Sequence, residues 1–166
     1  MHRDSIEREA ETLIEECGTR DPFDIARQTG ALVRYKELGS LKGMYLCLGG
    51  ERFIVIHPAL PSAVRRVVCA HELGHDRLHR AQAQCHALHE FAVQTGGDRT
   101  EYEANVFAAA LLIDEQELFE HAELGAEQLA RLFGVDVDLL AIRLLSLRAK
   151  GYDCPVLSYR SDFLKN

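Results

Sequence analysis

Apolar residues near the start of the chain fall at helical spacing: Ile6, Ala10, Leu13 and Ile14 recur among glutamates over residues 5–17, and Gly18 supplies the stop. Asp21 followed by Pro22 reads as an N-cap and a first helical position, so Phe23, Ile25 and Ala26 predict a short second helix ending at Gly30. From residue 31 the period changes. Residues 32–35, 43–48 and 52–56 are short β-rich runs, and Gly49-Gly50 between the last two predicts a hairpin within a small sheet. Residues 62–80 form a long apolar run broken only by Gly74, which predicts a buried helix of about five turns. Residues 81–98 hold Cys85, His86, His89 and the Gly96-Gly97 break, and they read as a variable connection with about one helical turn. Asp98 or Thr100 caps a helix through Ile113, Asp114-Glu115-Gln116-Glu117 opens another, and residues 126–150 give two helices around Phe133-Gly134-Val135. The expected fold class is α+β, mostly helical with a small three-stranded sheet. Residues 1–122 are expected to form the main domain and 123–166 a helical extension packed on it, as a single compact unit.

Composition narrows the function. The 166 residues are 47% hydrophobic, enough for one domain with a core. Lys and Arg number 19 against 26 Asp and Glu, for a formal net charge of −7. That balance argues against duplex DNA as a direct ligand and is suited to a basic protein partner. No stretch approaches the roughly 18 to 20 apolar residues of a membrane span, and the charged start is unlike a secretory signal, so a cytoplasmic protein with no membrane contact is expected. Five cysteines at scattered spacings without a CxxC pair fit reduced thiols buried as small hydrophobes.

The chemistry is concentrated in His71-Glu72-Leu73-Gly74-His75, an HExxH pattern inside a predicted helix. Two histidines four residues apart sit about one turn apart on one face, so both imidazoles reach a single Zn2+ ion. Glu72 follows the first of them and is directed toward water there as the catalytic base. A catalytic zinc needs a third protein ligand. Leu78 and Ala81 occupy the positions where a metzincin would carry Gly and His, and His79 lies about 12 Å of helix rise from His71, too far to share the ion. His79 is therefore expected to support the site or to pack at the helix end. Glu101 is the expected third ligand, with Asn105 one turn on and able to hydrogen-bond a ligand histidine. Glu103 is the alternative; it is rotated by about 200° from Glu101, so only one of the two faces the metal and the other is expected to be solvated. Tyr45 or another residue is expected to stabilise the oxyanion, and the strand 43–48 is a candidate for edge pairing with substrate. Cys85, His86 and His89 lack a partner half, so no second metal is expected.

These residues resemble the ImmA/IrrE family of bacterial metallopeptidases. The likeness runs from Asp21-Pro22 and Ile25-Ala26 through Gly43, Tyr45 and Arg65-Arg66 to the HExxH segment with Leu78-His79. It continues in Glu101-Tyr102-Glu103-Ala104-Asn105-Val106-Phe107-Ala108-Ala109-Ala110-Leu111-Leu112, close to the family's ExEANxFAxxLL. The resemblance implies a zincin-like domain in which His71 and His75 ligate zinc, Glu72 is the catalytic base and a Glu of the second motif completes the site. It also implies a helix-turn-helix-like C-terminal part and, as substrate, a helix-turn-helix repressor whose cleavage derepresses phage, mobile-element or stress genes. Asp136 and Asp138 sit where a recognition helix would meet phosphates, which favours packing or repressor docking there. The competing reading is a metal-stabilised anti-repressor that holds its partner without cutting it.

Overall fold

The computed structural model describes residues 2–81 and 98–154. The connection holding Cys85, His86, His89 and the Gly96-Gly97 break lies outside the described residues. The chain runs α1 (Arg3–Cys17), α2 (Pro22–Gln28), β1 (Ala31–Tyr35), β2 (Gly43–Leu48), β3 (Glu51–Ile56), α3 (Ser62–Leu78), α4 (Asp98–Leu112), α5 (Glu115–Glu120), α6 (Ala126–Phe133) and α7 (Val137–Ala149). This is the expected α+β class. No helix among the described residues is long and apolar enough to cross a membrane.

Local chemistry sets the boundaries. Gly18 ends α1 in the left-handed conformation, and Asp21 caps α2 by accepting from the backbone N–H groups of Phe23 and Asp24 at 2.9 and 3.0 Å, with Pro22 behind it. The sheet has the order β1-β3-β2, with β1 parallel and β2 antiparallel to β3. Gly49 and Gly50, at φ of 59° and 86°, make the tight turn between β2 and β3, which two left-handed residues require. β2 therefore forms one edge of the sheet. Helix α3 stops at Leu78, short of the expected residue 80, because His79 leaves the helical conformation and turns its ring inward.

Helix α4 is the centre of the molecule. It packs on α3, α1 and α7, and from Val106 to Leu112 every side chain is buried. Its small residues are a packing requirement. A Cβ built on Gly74 would lie 3.0 Å from Ala104 Cα and 3.2 Å from Ala104 O, so α3 and α4 touch backbone to backbone at the HExxH segment. We expect Gly74→Ala to part the two helices. The added methyl gains about 1 kcal/mol of helix preference, while forced overpacking costs about 1–3 kcal/mol. A lower urea midpoint, together with a wider separation of Glu101 from the histidines and so weaker binding of any metal held between them, is the expected result. An unchanged midpoint and zinc affinity would contradict it.

Three polar devices fix the periphery. Arg20 reaches the C-terminal carbonyls of Ala110 and Leu111 at 3.1 and 3.2 Å and pairs with Asp114 at 2.5 Å, while Asp114 caps α5 through Glu117 N–H. Asp136 caps α7 through Leu139 N–H at 2.7 Å, which gives this acidic residue a role within its own helix. Arg143 of α7 is only 1% exposed; its Nη1 lies 3.3 Å from Oε2 of the equally buried Glu7 of α1, and Lys150 pairs with the same carboxylate. The guanidinium thus faces the core and is not presented to a phosphate.

Candidate metal centre

Helix α3 carries His71, Glu72 and His75, and α4 carries Glu101 and Asn105. The close approach at Gly74 and Ala104 brings the two rows together. His71 Nε2 lies 3.1 Å from His75 Nε2 and 3.2 Å from Glu101 Oε2, and His75 Nε2 lies 3.3 Å from Glu101 Oε1. Among the described residues, these three offer donor atoms within 4.8 Å of one another. Bond lengths of about 2.1 Å at tetrahedral angles would set donors roughly 3.4 Å apart, so the set fits a zinc ion. Glu101 is half exposed, which leaves one side of the cluster open to solvent. Three donor atoms turned toward one another also suit a cation between them. Burial alone would lower the His71 pKa, yet the hydrogen bond of Glu101 and the charges of Glu72 and Glu101 raise it, while burial and the positive charge of His71 lower that of His75. A proton on His71 serves one donor; a dication serves all three.

Support for the donors comes from both helices. Asn105 Oδ1 lies 2.9 Å from His71 Nδ1, as its spacing from Glu101 predicted. His79 is buried, with Nδ1 3.1 Å from His75 Nδ1 and Nε2 3.0 Å from Glu103 Oε2. Glu103 corrects the expectation of a solvated side chain. It is 7% exposed and also accepts from Arg99 at 3.1 Å; against the penalty of burial, hydrogen bonds including those from His79 and Arg99 lower its pKa. A helical wheel offers metal or water as destinations, but α4 is covered on more than one side and its second face meets His79.

Glu72 is buried beside the histidines. Burial, reinforced by the Glu101 charge, pushes its pKa up to about 7 against the lowering effects of His71 and the Tyr45 backbone N–H. A carboxylate poised near neutrality suits proton abstraction. Its pocket depends on Gly43: a Cβ there would come 2.4 Å from Val68 Cγ1 and 3.0 Å from Glu72 Oε1, so only glycine lets β2 lie this close to α3.

The Tyr45 hydroxyl is committed elsewhere. It donates to Asp76 at 2.8 Å, and burial followed by that hydrogen bond raises its pKa, so its proton is not offered to an oxyanion. Asp76 is a functional neighbour that helical spacing alone does not reveal. This carboxylate, fully buried one residue after the second histidine, also accepts from Arg52 at 2.6 Å and Arg80 at 3.4 Å, tying β2 and β3 to α3. The available signal is an aspartate immediately following HExxH within a helix expected to be buried.

The model of the IrrE N-terminal-like domain, a peptidase family, matches residues 26–145. The chain is also 29% identical over 147 residues to the "Uncharacterized immunity region protein 2" of Bacillus phage phi105, a match that covers 85% of this chain and 90% of that protein.

Proposed function

The chain belongs to the IrrE N-terminal-like peptidase family, and from that membership we propose that it is a zinc endopeptidase acting on a helix-turn-helix transcriptional repressor. The observation that carries the reading is the convergence of His71, His75 and Glu101 beside a buried Glu72. In this reading the three side chains hold one zinc ion, which when bound polarises the peptide carbonyl and acidifies water. Glu72 takes the proton of the attacking water and passes it to the leaving amine. Asn105 keeps the His71 ring in place. β2, an outer strand of the sheet among the described residues, aligns the substrate backbone as an added strand, in reach of Glu72 because Gly43 carries no side chain. The name of the phage relative, an immunity region protein, supports a repressor as substrate, and the net charge of −7 favours a basic partner.

The test is to mix the zinc-loaded protein with a helix-turn-helix repressor encoded beside it and to follow the masses. New repressor fragments are expected, absent when the zinc is removed by a chelator and restored when zinc is returned. A repressor that leaves its operator DNA intact in mass would sink the proteolytic reading in favour of metal-stabilised binding.

A further inference from the structure

A series of contacts runs from the buried face of α4 into the donor cluster. Glu103 Oε2 lies 3.0 Å from His79 Nε2, His79 Nδ1 lies 3.1 Å from His75 Nδ1, and His75 Nε2 faces His71 Nε2 and Glu101 Oε1. With both imidazoles neutral, each step has one permitted direction. A neutral imidazole carries one N–H and one lone pair, and a carboxylate only accepts. Glu103 therefore draws the His79 proton to Nε2 and leaves Nδ1 of that ring as an acceptor. His75 must then donate from Nδ1, which leaves its lone pair on Nε2, the atom turned to the cluster. Arg99 fixes the second oxygen of Glu103 at 3.1 Å, so the carboxylate is itself held. Water has little access to the middle of the series, since His79 and Glu103 are each 7% exposed.

We propose that Glu103 and His79 are positioning residues that set the tautomer of His75, so that the cluster presents its lone pairs to a metal before the metal arrives. Direct carboxylate support of a ligand histidine is the common arrangement; here the carboxylate acts through a second imidazole. The effect on affinity follows from that order. Without His79 as acceptor, the His75 proton is free to sit on either nitrogen, and the ring loses the contact that fixes its rotation. The proposal rests on the reading that His71, His75 and Glu101 hold zinc.

The test pairs zinc titration, in competition with a chromophoric chelator, with long-range nitrogen–proton NMR of the metal-free full chain, which reports the protonated nitrogen of each histidine. Wild type is expected to show His75 protonated on Nδ1. His79→Phe keeps a ring of similar size, and Glu103→Leu keeps the volume; each is expected to weaken zinc binding about 10- to 100-fold and to erase the fixed Nδ1–H signal of His75. Glu103→Gln retains an acceptor and is expected to restore most of both readouts. Wild-type zinc affinity with an unchanged His75 tautomer in either His79→Phe or Glu103→Leu overturns the proposal. Failure of the wild type to bind zinc would count against the metal reading instead, and the NMR measurement would still decide whether Glu103 and His79 fix the proton of His75.

Discussion

On the proposed function, Glu72→Gln is expected to retain its metal and to cleave the repressor about 10²- to 10⁴-fold more slowly than wild type, the usual worth of a positioned general base. Metal content is preserved because Glu72 is not among the converging donors, which are His71, His75 and Glu101. The rate falls because a neutral amide cannot take the proton of the attacking water. Gln has nearly the shape of Glu, and burial already opposes the ionisation of this carboxylate; the fold is therefore not weakened by the exchange. Elemental analysis and kcat/KM on the same preparation check both halves. Equal cleavage by the variant would remove Glu72 from the chemistry, and loss of the metal would show that its role lies in assembling the site.

A second large effect is expected far from the metal. Arg143→Met is predicted to destabilise the fold by about 3 kcal/mol, at the low end for breaking a buried ion pair because Lys150 still partners Glu7. The cost comes from the acid left behind: Glu7 is 2% exposed and would keep its charge with only one cation beside it. The double variant Glu7→Leu, Arg143→Met removes both fully buried charges, leaving Lys150 and Glu115, which are partly exposed, to water, and is expected to recover most of the loss, since apolar replacement of a buried pair is often neutral. Urea unfolding of the four proteins measures the cycle. A midpoint for Arg143→Met equal to wild type would mean that the pair contributes nothing, and an equally unstable double variant would assign the loss to packing of the long Arg stem.

The contrast between these two residues shows what a sequence makes legible. Glu72 is readable because its meaning is local: it stands between two histidines one helical turn apart, and every element of the argument lies within five positions. The same holds for the cap at Asp21 and Pro22, for the glycine turn between β2 and β3, and for Glu101 with Asn105, whose four-residue spacing sets them on one face. Periodicity gives faces, and it does not give partners. Arg143 sits among Leu139, Leu140, Leu144 and Leu147, and nothing nearby says that its charge is met by Glu7 from the opposite end of the chain. A helical wheel that turns Glu103 away from the metal sends it to solvent, yet that side of α4 faces His79. Asp76 is the same case: Arg80 lies four residues on, but Tyr45 and Arg52 reach it from β2 and β3.

The pairing of Glu7 with Arg143 and Lys150 has a consequence for biosynthesis. Helix α4, which brings Glu101 to the two histidines, is covered on its other sides by α1 and α7. While the ribosome is still making residues 137–149, one flank of α4 is bare and Glu7 has no cation to meet. The covering of α4 is therefore complete only after α7 has emerged and folded back onto the first helix, so a nascent chain carries both sequence motifs well before the helix that bears Glu101 is packed on all its sides.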